Sequence, residues 1–168
     1  MKKTLRHLFY ILKLLRPRQW MKNLALFAAI TFGGLLVHLD SFVSVCAGFV
    51  AFCLLASSTY IINDLIDVNK DRLHPFKKVR PIASGEVSPH EAIVIFIVII
   101  LGALIIAQSI SGAFFFYCIL YLVIQFLYSF IFKSIEIFDI FFIVVIVLVH
   151  VVSNAILCSH TKMSLHTK

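Results

Sequence analysis

The chain has 168 residues, 61% of them apolar, and a mean hydropathy of +1.03. Soluble domains contain about 45–50% apolar residues, and small domains keep much of their surface exposed, so this composition excludes a water-soluble globule. Disorder is excluded as well, because disordered chains have low hydrophobicity. The sequence therefore predicts an integral membrane protein, whose 15 Lys and Arg and 8 Asp and Glu must lie mainly outside the bilayer.

The N-terminal residues 1–16 predict an amphipathic helix. One helical stripe carries the apolar residues Leu5, Leu8, Phe9, Leu12 and Leu15. Basic residues lie off this stripe, and Pro17 follows as a helix stop. Such a helix is expected to lie in the membrane interface and to be attracted to anionic lipid. A plain membrane anchor is the simpler of the two interpretations, and a specific functional role is the other.

Five apolar stretches approach or reach the length of a membrane span, which needs about 20 residues. In chain order they are 24–37, 41–62, 92–110, 112–132 and 137–158. They are too long, and alternate too little in polarity, to be barrel strands. The expected fold class is therefore all-α, a polytopic membrane helix bundle. Its expected parts are an interfacial helix at 1–17, a transmembrane domain at 18–158 and a polar tail at 159–168.

Basic residues are distributed unevenly between the two predicted sides of the membrane. Seven lie in the N-terminal tail, five in segment 63–91, and Lys133 lies on the same side. Only Lys162 and Lys168 fall on the other side. Cytoplasmic loops are the ones rich in Lys and Arg, so the N-terminus is predicted to be cytoplasmic.

Three carboxylates directly follow the second predicted span. Asp64, Asp67 and Asp71 are spaced i, i+3 and i+7, so on a helix they fall within an arc of roughly 60°. Carboxylates so close together repel one another and need compensation. A bound Mg²⁺ is one solution, with Asn63 adding a neutral oxygen, because this ion prefers hard oxygen ligands and substrate phosphates. Neutralisation in surface ion pairs with Arg72 and other loop cations is the alternative.

A basic segment, 74–85, follows the carboxylates and contains two prolines and a glycine, which exclude a continuous helix. The segment is expected to form a strap of fixed shape that carries Lys77, Lys78 and Arg80. Cations beside a carboxylate–Mg²⁺ cluster favour a pyrophosphate-containing substrate, because they neutralise charge on the leaving group. An ordinary basic cytoplasmic loop is the alternative.

Further polar groups are predicted at the same membrane face. They are Arg18, Lys22 and Asn23 before the first span, and Tyr128, Lys133 and Asp139 around the turn between the last two spans. Asp139 lies about one turn inside the fifth span, where an unpaired charge is costly. Structural pairing and function are equally favoured for it.

The motif Asn63-Asp64-x-x-Asp67-x-x-x-Asp71 resembles the first aspartate-rich motif of the UbiA superfamily of membrane prenyltransferases. Segments 18–23 and 71–85, together with the pattern at 128–139, are similar to its decaprenyl-phosphate phosphoribosyltransferase branch. The resemblance implies transfer of 5-phosphoribose from phosphoribosyl diphosphate to a polyprenyl phosphate, with release of pyrophosphate. It implies an enzyme of the cell membrane with a cytoplasmic active-site face, in contact with membrane lipids and not with nucleic acid.

The resemblance also implies roles for individual residues. Asn63, Asp64, Asp67 and Asp71 would hold Mg²⁺ on the donor diphosphate. Substrate contacts are implied for Arg18, Lys22, Asn23, Arg72, Lys77, Lys78, Arg80, Tyr128, Lys133 and Asp139. The second aspartate-containing loop and about four further spans of the family are not found in these 168 residues, so a truncated, inactive relative is one alternative. Polyprenyl transfer to an aromatic acceptor is the other.

Overall fold

The computed structural model describes residues 2–24, 26–27, 31, 39–127 and 129. Within these residues the secondary structure is helical throughout. The elements are α1 (Lys2–Leu15), a 3₁₀ helix (Pro17–Leu24), α2 (Leu39–Ile66), α3 (Val68–Leu73), a short 3₁₀ helix (Lys77–Val79), α4 (Pro89–Ile110) and α5 (Gly112–Leu127). The expected all-α class is confirmed for this part of the chain.

Within the described residues, two helices have the length and composition of membrane spans. They are the 25-residue stretch Phe42–Ile66 of α2 and the 22-residue α4. Both coincide with predicted spans, 41–62 and 92–110. The apolar α5 begins at Gly112, as the fourth predicted span does, and is 16 residues long. Most of the first predicted span and all of the fifth lie outside the described residues.

Helix α4 exposes most of its apolar surface. Only 11% of its most apolar window is buried. Its exposed side chains include Ile93, Val94, Ile97, Val98, Leu101 and Ile105. A helix with this much exposed aliphatic surface is suited to contact with lipid or with further helices.

The described residues form two compact units, and α2 and α4 contribute to both. The first unit comprises α1, the segment after it as far as Met21, and Cys53–Gly102. Its core contains Leu14 of α1, Ile61 of α2, Ile82 and Val87 of the connecting segment, and Ala92 of α4. Each large aliphatic side chain buried in this way stabilises the fold by about 1.5–3 kcal/mol. Helix α1 is therefore packed into a core by one of its faces.

The second unit contains Lys22–Phe52 and residues from Ala103 onward. Its described core includes a group of aromatic rings. The ring of Phe52 lies edge-on to Phe114, at 5.7 Å between centroids, and to Tyr121, at 5.4 Å. Edge-to-face pairs of this kind add about 0.5–1.5 kcal/mol each to the burial of the rings.

Candidate functional site

The aspartate motif lies across the junction of two helices. Asn63 and Asp64 belong to the last turn of α2, which continues to Ile66, and Asp71 belongs to α3. Asp67 lies between the helices, yet its N–H donates to Asn63 O at 3.0 Å, and Asp71 N–H donates to Asp67 O at 2.8 Å. These bonds keep the i to i−4 spacing of a helix through the junction, so the motif retains a common face.

Two buried carboxylates share one guanidinium group. Asp64 and Asp71 are each 2% exposed. Arg80 Nη1 donates to Asp71 Oδ2 at 2.6 Å and to Asp64 Oδ1 at 3.1 Å. Arg16 Nη2 donates to the same Asp64 oxygen at 2.6 Å. The repulsion predicted from the sequence is thus compensated by Arg16 and Arg80, whereas Arg72 is exposed.

Arg16 occupies a strained position between α1 and Pro17. Its φ of +52° lies in the left-handed region, which costs a non-glycine residue of order 1–3 kcal/mol. The surrounding contacts hold it there, because its guanidinium also lies over the Tyr60 ring at 4.8 Å from the centroid. Arg16 was not among the site residues predicted from the sequence. Its place at a helix end before proline was the available clue, but its partners are distant in sequence.

The strap that carries Arg80 is fixed by its own hydrogen bonds. Arg80 N–H donates to Lys77 O at 3.0 Å, and Val87 N–H donates to Pro81 O at 3.0 Å. Gly85 has a φ of +78°, which a residue with a Cβ rarely adopts. The strap therefore presents Arg80 to the carboxylates in a defined direction. Lys77 and Lys78, predicted beside it, are both exposed.

Helix α1 is tied to the same unit by polar contacts. Arg6 forms an ion pair with Glu86, and this hydrogen-bonded carboxylate raises the pKa of the Arg6 guanidinium. His7 Nε2 lies 2.5 Å from Glu91 Oε1. These contacts, with the buried Leu14, fix the rotation of α1 about its axis.

The end of α1 is joined to α2 through a serine. Trp20 Nε1 donates to Ser57 Oγ at 3.0 Å, and Ser57 Oγ donates to Leu15 O at 2.7 Å. The hydroxyl therefore satisfies both the indole N–H and a backbone carbonyl left open by the end of the helix. This places Arg16, the next residue, against the motif.

A cavity of about 630 Å³ lies over the arginine–carboxylate group. It is lined by Phe9, Leu12, Lys13, Arg16, Pro17, Arg18, Gln19, Asp64, Val79, Arg80 and Pro81. Four of these side chains are cationic and one is a carboxylate. The lining therefore favours an anion. Of the predicted substrate residues, Arg18 and Arg80 line this cavity.

The remaining predicted site residues are placed as follows. Lys22 is exposed, Asn23 is buried, and both belong to the second unit. Tyr128, Lys133 and Asp139 lie outside the described residues.

The oxygen atoms of the aspartate motif are suitable ligands for a hard divalent cation. Asn63 Oδ1 is buried with no hydrogen-bond partner, and carboxylate oxygens lie on the following turns. Carboxylate and amide oxygens are the ligands of Mg²⁺. In the part of the chain that the structure describes, however, no three His, Cys, Asp or Glu side chains converge tightly enough to form a metal-binding group. Asp64 and Asp71 point towards arginines in this arrangement.

Comparison with known proteins identifies the family. Residues 23–160 match the model of the UbiA prenyltransferase family. The chain belongs to this family. It is thus a member of a family of integral membrane transferases, in agreement with its long apolar helices.

Among UbiA relatives, the decaprenyl-phosphate phosphoribosyltransferase of Mycolicibacterium smegmatis is 37% identical over 134 residues, covering 77% of this chain and 42% of the relative. The enzyme of the same name from Mycobacterium tuberculosis is 36% identical over 124 residues, covering 71% and 41%. A UbiA homolog from Archaeoglobus fulgidus bound to GPP and Mg²⁺ gives a TM-score of 0.58 at 30% identity, covering 71% of this chain and 43% of that one. The chain therefore spans about two fifths of the length of these relatives.

Proposed function

We propose that the chain carries the donor site of a transferase that moves 5-phosphoribose from phosphoribosyl diphosphate to a polyprenyl phosphate and releases pyrophosphate. The observation that carries the proposal is the buried Asp64 and Asp71 pair held by Arg80, beneath a cavity rich in cations. Such a group combines oxygen ligands for a cation with guanidinium groups for phosphate. The names of the mycobacterial relatives support the choice of substrates.

Asn63, Asp64, Asp67 and Asp71 are the residues that would hold Mg²⁺. When bound, this ion supplies charge neutralisation on diphosphate oxygens. Arg80 would donate to phosphate in place of the carboxylates that Nη1 now contacts, because a guanidinium group can bind either anion. The other substrate contacts are proposed for Arg18, Lys22, Asn23, Arg72, Lys77, Lys78, Tyr128, Lys133 and Asp139.

The proposed reaction needs no strong base. The bond between the anomeric carbon and the diphosphate oxygen breaks, and pyrophosphate leaves with the electron pair. A phosphate oxygen of the lipid forms the new bond to the same carbon. Because that oxygen is already an anion, the protein's task is to position the two substrates and to neutralise the leaving charge.

We propose five spans with a cytoplasmic N-terminus, an interfacial helix at 1–17, a transmembrane domain at 18–158 and a polar tail at 159–168. The support is the concentration of Lys and Arg in the N-terminal tail and in segment 63–91. Reporter fusions at His38 and Ser88 test this topology. A cytoplasmic signal at His38 would contradict it.

The second candidate is polyprenyl transfer to an aromatic acceptor, and it is favoured by the structural likeness to a homolog bound to GPP. One assay separates the two. Membranes containing the chain receive Mg²⁺ and either labelled phosphoribosyl diphosphate with decaprenyl phosphate or a polyprenyl diphosphate with an aromatic acid. Labelled lipid in the first arm, lost in Asp67→Ala and kept in Asp40→Ala, supports the proposal. Product in the second arm alone selects the second candidate, and product in neither arm selects the inactive relative.

A further inference from the structure

The walls of the cavity over Asp64 are of two chemical kinds. The cationic side chains are Lys13, Arg16, Arg18 and Arg80. The apolar wall consists of Phe9, Leu12, Pro17, Val79 and Pro81. An inorganic or sugar-borne phosphate needs the first wall and gains nothing from the second. The combination is suited to a phosphate that carries a hydrocarbon chain.

The apolar wall continues onto the exposed surface of α1. Leu5, Leu8, Phe9 and Leu12 are 72%, 53%, 60% and 49% exposed, and their i, i+3, i+4 and i+7 spacing places them in one row. The two residues nearest the C-terminal end of this row also line the cavity. A continuous apolar path therefore leads from the outer surface of α1 into the cavity.

The exposure of this row is fixed by the packing of α1. Leu14 is fully buried in the core of the first unit, and Arg6 and His7 are paired with Glu86 and Glu91. The helix cannot rotate to bury the row without breaking these contacts. A row of this kind on a helix with flanking cations favours a lipid surface.

Arg18 is the cation best placed to receive an added anion. Arg16 and Arg80 already donate to Asp64 and Asp71, and Lys13 Nζ donates to Val79 O at 3.0 Å. Arg18 lines the cavity and is exposed. Its guanidinium can bind a phosphate through two parallel hydrogen bonds.

We propose that the part of this cavity beside α1 binds the phosphate of a single-chain lipid monophosphate at Arg18, with the first carbons of the chain against Phe9 and Leu12, while Arg80 and the carboxylates serve the donor. The role of that lipid as acceptor rests on the proposed function. At Arg18, helix α1 then selects the lipid-borne phosphate over water-soluble phosphates. The cavity volume of about 630 Å³ lies in the usual range for small-molecule sites, about 300–1,000 Å³.

Equilibrium binding to the purified chain in neutral phosphatidylcholine nanodiscs tests this inference. The probes are labelled geranyl phosphate, inorganic phosphate and geraniol, without Mg²⁺ and without a ribosyl donor. Wild type should bind geranyl phosphate at least about tenfold more tightly than either other probe, because each of these lacks one of the two contacts.

Single substitutions measure what the apolar wall and the cationic wall each contribute to binding. Phe9→Ser and Leu12→Ser should each weaken the binding of geranyl phosphate about tenfold and leave the binding of inorganic phosphate unchanged. Arg18→Gln should weaken the binding of both geranyl phosphate and inorganic phosphate. Leu5→Ser removes an apolar residue of the same exposed row that does not line the cavity, and it should change neither. Since all four side chains are exposed, circular dichroism should show an unchanged fold.

Equal binding of geranyl phosphate and inorganic phosphate would overturn the inference, as would equal effects of Phe9→Ser and Leu5→Ser. These results are distinguishable from failure of the proposed function. Selective geranyl phosphate binding without ribosyl transfer overturns only the proposed function. Ribosyl transfer that Phe9→Ser and Leu12→Ser leave unchanged, with no selective binding, overturns only the role of α1.

Discussion

Arg80 donates hydrogen bonds to both buried carboxylates of the aspartate motif, so its removal should destabilise the first unit. We predict that Arg80→Gln lowers the free energy of unfolding by about 3 kcal/mol. Hydrogen bonds to charged groups contribute about 1.5–3 kcal/mol each. The Arg80 side chain is 26% exposed, so the lower value applies to each of its two bonds. The loss arises because Asp71 keeps its burial while losing this partner.

Unfolding by denaturant in detergent micelles, followed by far-ultraviolet circular dichroism, measures this change. Arg80→Lys keeps the charge, but the flexible lysine side chain loses more rotamer freedom when it makes the same bonds, so about half the loss is expected. Lys78→Gln changes an exposed cation of the same strap and should stay within about 0.5 kcal/mol of wild type.

A double-mutant cycle with Asp71→Asn tests the cause. Residues in direct contact show coupling of about 0.5–3 kcal/mol, and we expect at least 1 kcal/mol here. A loss below about 0.5 kcal/mol for Arg80→Gln, or strictly additive effects of the two substitutions, would refute the reasoning.

Four further predictions use the same unfolding assay. Arg16→Ala should be more destabilising than Arg16→Gly by about 1 kcal/mol, since both lose the bond to the carboxylate and only glycine tolerates the φ of +52°; equal losses would contradict this. Ile82→Ala should cost about 2–5 kcal/mol because it opens a cavity in the core, whereas Leu73→Ala, at 88% exposure, should cost less than about 0.5 kcal/mol. Ser57→Ala should cost about 1–3 kcal/mol, because the Trp20 N–H loses its acceptor. Glu86→Gln should have only a small effect, and a smaller one at high salt, because its partner Arg6 is exposed; an effect as large as that of Arg80→Gln would contradict this.

The helices and the motif could be predicted from local sequence, but the contact of the motif with Arg16 could not. Long apolar runs determine α2 and α4 directly, and the spacing of the aspartates placed Asp64 and Asp71 on one face. The compensating cations lie 48 and 16 residues from Asp64, and no local pattern reports contacts at that separation. The sequence instead offered Mg²⁺, or ion pairs with Arg72 and other loop cations, among which Arg80 contacts the two buried carboxylates.

For helix α1 as well, the local sequence identified an apolar face but not the tertiary contacts that cover it. Its periodicity predicted an apolar stripe that included Leu12 and Leu15, to be buried in the membrane interface. In the structure Leu15 packs against the core beside the fully buried Leu14, and Leu12 stays exposed at the cavity. Periodicity identifies an apolar face, but it does not say whether lipid or protein covers each part of it.

The contact between His7 and Glu91 also sets an order of events during synthesis. The two residues are 84 positions apart, so α1 leaves the ribosome well before its partner exists. At about 5–20 residues per second, the interval is roughly 4–17 s. During this time Leu14 has no core to enter. If α1 rests on the membrane surface, as proposed, lipid covers that side chain until Ile61, Ile82 and Val87 have been made.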